Sequence, residues 1–198
     1  MDMEIINIDQ NITLLINGFS GHVLFFDILF VIITNDYLIP VLSALSLFYL
    51  WFSGINSIER YISQKFVITG ISSIIFSNII VLLSNVFWLR SRPYETLDSI
   101  NLLFYRSTDP SFPSNPVVVC SAIFFVITFR NKIIGILGLL MSLFLGFSKI
   151  YLGVSYSLDV IGGFLFGILS GLFSFLFISF FSRFIERILR SVKIFGLN

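Results

Sequence analysis

The chain of 198 residues is 57% hydrophobic with 25 phenylalanines, is only 12% charged, and carries a net charge of +1. That balance lies outside the range of soluble domains and reads as an integral membrane protein, with no basic field that would serve nucleic acid. One cysteine, Cys120, excludes an internal disulfide, and with His22 as the single histidine there is no Cys/His cluster for zinc, so neither a metal nor any other cofactor is expected.

No cleavable signal peptide is expected, because Asp2, Glu4 and Asp9 stand where a positive n-region would precede the apolar stretch. Ile5, Ile8, Ile12, Leu15 and Ile16 recur at helical spacing among polar residues, which predicts an amphipathic helix lying in the membrane interface. Residues 23–34 are apolar but only twelve long and include Asp27, a length that suits an interfacial or re-entrant segment. Asp27 itself reads as a local hydrogen-bonding or capping group. Apolar runs follow at 38–52, 66–89, 117–129, 133–152 and 160–181. The expected fold is therefore all-α, a polytopic membrane bundle of five transmembrane helices, or six if 23–34 crosses. The run at 117–129 is short for a crossing unless neighbouring helices shield its ends, and Cys120 within it reads as a small core residue. A single membrane domain, 1–198, thus comprises an N-terminal segment (1–34), a helix bundle (35–182) and a basic tail (183–198). Gly163, Gly167 and Gly171 are spaced by four on the last span, a pattern that lets helix backbones approach closely. They are expected to pack within the bundle, with a homodimer face as the alternative.

Orientation follows from lysine and arginine alone. One set of connections holds Arg60, Lys65, Arg130, Lys132, Arg183, Arg187, Arg190 and Lys193, eight in all, and the opposite set holds Arg90, Arg92, Arg106 and Lys149, which makes four. The richer side, with the C-terminus, is expected to be cytoplasmic, and the loop from Arg90 to Pro113 to face outward.

Three polar clusters meet on that outer side. Arg90-Ser91-Arg92-Pro93 closes the long third span, Ser111-Phe112-Pro113-Ser114-Asn115-Pro116 opens the next, and residues 148–163 carry Lys149, Ser155 and Asp159 in an otherwise apolar run. Ionisable groups in such a setting are costly and are functional candidates by default. Ser114 or Asn115 is available as a cap beside Pro116, and a helix N-terminus aimed at the interface is a ready anion site. Arginine for planar phosphate recognition and lysine as a point charge complete a phosphate pocket beside a bilayer. The competing reading is that these cations snorkel to the interface and that Lys149 pairs with Asp159.

Arg92-Pro93, then Ser111 to Ser114, then the run from Ser148 to Gly163 resemble the three signature motifs of the type 2 phosphatidic acid phosphatase superfamily, which includes vanadium haloperoxidases. Size, Asn17-Gly18 and Arg130-Asn131-Lys132 look most like its small undecaprenyl pyrophosphate phosphatases. The family pattern is a lysine, six residues, Arg-Pro; Pro-Ser-Gly-His; and Ser-Arg, five residues, His, three residues, Asp. The resemblance implies that Arg92 and Ser114 bind phosphate, that Lys149 replaces an arginine in the same task, and that Asp159 is the orienting carboxylate. It also exposes departures. Asn85 stands at the position of the first lysine, Pro116 at that of the acid histidine, and Ser155 at that of the histidine nucleophile. A serine hydroxyl needs an adjacent base to attack, and proline has no proton to donate. His22 is the one imaginable substitute, by proximity on the outer side.

These residues lead to a degenerate, catalytically inactive lipid phosphatase fold that keeps a phosphate pocket at the outer face of a prokaryotic plasma membrane. Its expected partners are membrane lipids, either polyprenyl phosphates or phospholipids. A structural or assembly subunit of a membrane protein complex is the second reading, and an active phosphatase with an unconventional nucleophile is the third.

Overall fold

The computed structural model describes residues 3–35, 37–183 and 186, and every described element of regular structure is a helix. In chain order these are α1 (Met3–Asn17), α2 (Leu24–Thr34), α3 (Leu38–Phe52), α4 (Ser57–Phe87), α5 (Pro93–Thr96), α6 (Asn115–Thr128), α7 (Lys132–Tyr151) and α8 (Ser157–Phe180). The all-α membrane bundle expected from the sequence is the fold observed. Of the tail expected at 183–198, only Arg183 and Glu186 fall within the described residues.

Helices α4, α7 and α8 are each long and apolar enough to cross a membrane, and α2 with α3 passes the same test as a pair inclined at 50°. The start of α2 is tied to the end of the bundle where α7 finishes, because Asp27 accepts hydrogen bonds from Tyr151 Oη (2.8 Å) and Gly21 N (3.0 Å). Asp27 thus acts as a local acceptor. The end of α3 lies at the opposite end, with Ser53 Oγ 3.2 Å from Ser63 Oγ of α4. The two short helices together traverse the bundle once. At 31 residues α4 spans about 46 Å, more than the ~30 Å of hydrocarbon, so its first turns, with Glu59, Arg60 and Lys65, extend past the apolar stretch.

The central helix is α6, packed against α4, α7 and α8. Its 14 residues are too few for a lipid-exposed crossing, but it meets little lipid: Val117, Val118, Cys120, Ala122, Val126 and Ile127 are all fully buried. Glycines make this possible. A Cβ on Gly138 of α7 would lie 1.9 Å from the Phe124 ring, and Gly163, Gly167 and Gly171 of α8 all face α6. Because Cys120 is sealed in this core, a maleimide should leave the native protein unmodified and label it once it is denatured; labelling at equal rates in both states would contradict this packing.

Helix α1 reverses the polarity of a soluble surface helix. Asp9, Thr13 and Asn17 recur every four residues on its buried face, while Ile5, Ile8, Ile12 and Leu15 are exposed. An exposed apolar face suits contact with lipid, and the buried polar face is what holds the helix to the site end of the bundle.

Candidate functional site

The turn between α7 and α8 carries the third motif and is built by backbone contacts. Leu152 N donates to Ser148 O, and Val154 N and Ser155 N both donate to Lys149 O (2.9 and 3.3 Å). Gly153 has φ +75°, a conformation that favours glycine, and a Cβ there would meet Ile100 at 2.6 Å. Asn17 of α1 locks this turn to the preceding loop, donating to Tyr151 O (2.8 Å) and Asn101 O (2.9 Å) and accepting from Asn101 N (2.9 Å).

Beside the turn lies a cavity of about 270 Å³ lined by Arg92, Tyr105, Ser107, Asp109, Ser114, Asn115, Pro116, Lys149 and Ser155. All three phosphate-binding candidates, Arg92, Ser114 and Lys149, are therefore brought together, although they are distant in sequence. Arg92 and Lys149 are each only 5% exposed. Ser114 is the N-cap of α6 without making a side-chain cap bond, and its buried hydroxyl has no partner; the same holds for the carbonyl oxygen of Asn115. Buried polar atoms are ordinarily satisfied, so two unpartnered atoms on residues that line one cavity, at an uncapped helix N-terminus, single out this end of α6 as the candidate site.

The other three motif positions, Asn85, Pro116 and Ser155, divide. Pro116 and Ser155 line the cavity. Asn85 does not, and its carbonyl oxygen is buried without a partner near the end of α4. His22 lies exposed on the α1–α2 loop with Nδ1 3.2 Å from Ser20 O, outside the cavity. Among the described residues no group of three or more His, Cys, Asp or Glu side chains could hold a metal ion.

Asp159, at the start of α8, is fully buried and has both oxygens engaged. Arg90 Nη1 donates to Oδ1 at 2.6 Å, while Ser111 Oγ and Tyr156 N donate to Oδ2. Its backbone oxygen accepts from Ser114 N at 3.0 Å, which links the third motif to the second. Arg90 extends its other terminal nitrogen to Asp9 of α1, and Asp9 in turn accepts from Leu158 N at 2.8 Å. The guanidinium also lies over the Tyr156 ring, 3.9 Å from its centroid. Burial pulls the Arg90 pKa down, but the carboxylates of Asp159 and Asp9 outweigh this and hold it above its ordinary value.

Asp9 and three cavity-lining residues of one loop, Tyr105, Ser107 and Asp109, were not singled out from the sequence. Asp9 was legible in retrospect as the first of three polar residues spaced by four on α1. Asp109 carried no signal, because its importance is its position against Arg92: Arg92 Nη2 donates to Asp109 Oδ1 at 2.9 Å and Nε to Asp109 O at 3.0 Å, while Nη1 donates to Val154 O at 2.9 Å.

Comparison with known proteins agrees with this geometry. The family model described as PAP2 superfamily matches residues 66–183, a stretch that contains all three motifs. The chain is 31% identical to undecaprenyl-diphosphatase BcrC of Bacillus subtilis over 153 residues, covering 77% of this chain and 75% of the relative. Among solved structures, LpxE of Aquifex aeolicus superposes with a TM-score of 0.71 at 27% identity, over 85% of this chain and 94% of that one. A PAP2-type phosphatidylglycerolphosphate phosphatase of Bacillus subtilis shares the fold with a TM-score of 0.64 at 18% identity, over 89% and 87%.

Proposed function

The chain belongs to the PAP2 superfamily, and on that premise we propose that it is a catalytically silent member that holds the phosphate head group of a membrane lipid at the outer face of the membrane. The observation that carries this reading is the cavity itself. It is lined by Arg92, Lys149 and Ser114, and also by Ser155 and Pro116, the residues that the motif resemblance assigns to the positions of nucleophile and acid. Hydrolysis through a histidine requires a group that can attack phosphorus and later leave, and a second that protonates the departing oxygen. The Asp159 carboxylate, four residues on from Ser155, is engaged by Arg90, Ser111 and Tyr156, which argues against its acting as a base for the Ser155 hydroxyl.

Burial of the cations supports the outward orientation. Arg90, Arg92 and Lys149 are buried or nearly so, which leaves Arg106 as the exposed loop cation of the site end, whereas Lys65, Arg130, Lys132 and Arg183 belong to the opposite end. A structural role in a membrane complex is the second reading, favoured by the internal pairing of Arg90 with Asp9 and Asp159. Isolation as a lone monodisperse monomer would count against it.

The test combines turnover and lipid retention on the purified full chain. Phosphate release from a polyprenyl diphosphate and from phosphatidic acid should remain at background and be unaffected by Ser155→Ala. Lipid co-purifying with the wild type, quantified by mass spectrometry, should fall about tenfold or more when Arg92→Ala is combined with Lys149→Ala. Release abolished by Ser155→Ala would make the protein an enzyme, and unchanged lipid content in the double variant would retire the binding reading.

A further inference from the structure

We infer that Asp109 sets the charge of the accepted ligand, so that the cavity takes a phosphate bearing a single negative charge, a lipid phosphodiester, in preference to a phosphomonoester or a diphosphate. This rests on the lipid-binding reading and adds the ligand class.

The charged groups lining the cavity are two cations, Arg92 and Lys149, and one carboxylate, Asp109, which leaves one net positive charge. The carboxylate is not a passing loop residue. Its own backbone oxygen accepts from Arg92 Nε, and the segment on either side is anchored: Ser107 O accepts from Tyr94 Oη at 2.8 Å, Ser111 N donates to Arg90 O at 2.9 Å, and Ser111 Oγ donates to Asp159. Arg92 has five N–H groups, of which three are taken by Asp109 and Val154, so one N–H remains on each terminal nitrogen. Two N–H groups match the two non-bridging oxygens of a phosphodiester, which share one charge. A phosphomonoester carries about −1.5 to −2 at pH 7 and a diphosphate more, and each extra negative charge would face the Asp109 carboxylate across the guanidinium. The side chain of Asp109 is 52% exposed and belongs to the cavity lining, so the carboxylate is not sealed away from the cavity behind Arg92.

The experiment measures equilibrium binding of phosphatidylglycerol, phosphatidic acid and farnesyl diphosphate to the detergent-solubilised full chain, for the wild type, Asp109→Asn and Asp109→Ser. The wild type should bind phosphatidylglycerol at least as tightly as the other two. In both variants the affinity for phosphatidic acid and for farnesyl diphosphate, taken relative to that for phosphatidylglycerol, should rise about tenfold. Two variants are used because asparagine keeps the shape of the side chain and serine removes its reach. Soluble glycerophosphoglycerol should displace phosphatidylglycerol; failure to displace it would assign binding to the acyl chains and overturn the inference. Binding that depends on Arg92 and Lys149 but shows no shift in preference in either variant would overturn it while leaving the lipid-binding reading intact. Absence of binding by all three probes would overturn both.

Discussion

Arg90→Ala is expected to lower stability by about 3–5 kcal/mol, the range for removing one partner of a buried ion pair. The guanidinium is 13% exposed and stands between Asp9 and Asp159, whose side chains are fully buried. Its removal leaves two uncompensated carboxylates at the point where α1, the turn before α8 and the α4–α5 connection meet. For a chain of this size the loss corresponds to a fall in Tm of roughly 6–20 °C. Hydrogen exchange should localise the damage to α1, which is held at this end by Asp9, Thr13 and Asn17. A drop below about 2 °C with α1 still protected would show that the two carboxylates are solvated and that the network is not what fixes the helix.

Gly167→Leu should be at least as severe, costing more than about 3 kcal/mol or preventing recovery of folded protein, because overpacking against backbone cannot be relieved by a rotamer change. A Cβ at this position would lie 1.8 Å from Ser121 Oγ and 2.5 Å from the Val118 carbonyl oxygen of α6. Adding Ser121→Ala removes the first clash and leaves the second, so only partial rescue is expected. Thermal stability and size-exclusion profiles together decide the matter. A variant that keeps its stability but changes its oligomeric state would mean that this glycine face meets a second copy rather than α6.

Both predictions concern contacts that the sequence marked only in part. The glycine spacing was visible as a close-approach surface, yet it does not name the helix approached. Fully buried residues on α6 supply that answer, and they also explain how a 14-residue helix can sit in the bundle: its ends meet protein, so the usual match between apolar length and bilayer thickness does not constrain it. Helix α1 was legible as amphipathic from its isoleucines. Which face turns inward was not, because amphipathicity in a membrane protein no longer assigns the apolar side to the core.

The candidate site shows the same division. Arg92, Ser114, Pro116, Lys149, Ser155 and Asp159 were identifiable from motif order and spacing, since ionisable and small polar residues stand out in a chain with so few charges. Their convergence on one cavity is a tertiary fact, and so is the exclusion of Asn85 and His22 from it. Sequence order carries no distance between residues 92, 114 and 149.

The sequence by itself determined the class of molecule, the main apolar helical segments and the residue types, Pro116 and Ser155 among them, that the motif spacing brings into question. These are properties of composition, apolar length and residue identity, which no fold can alter. Only the tertiary structure decided how the charges are shared. Arg90 is shared between Asp159 and Asp9, while Arg92 is divided between Asp109 and Val154. A charge in a low-dielectric interior takes its character from the nearest opposite charge, and that neighbour is chosen by packing rather than by sequence separation.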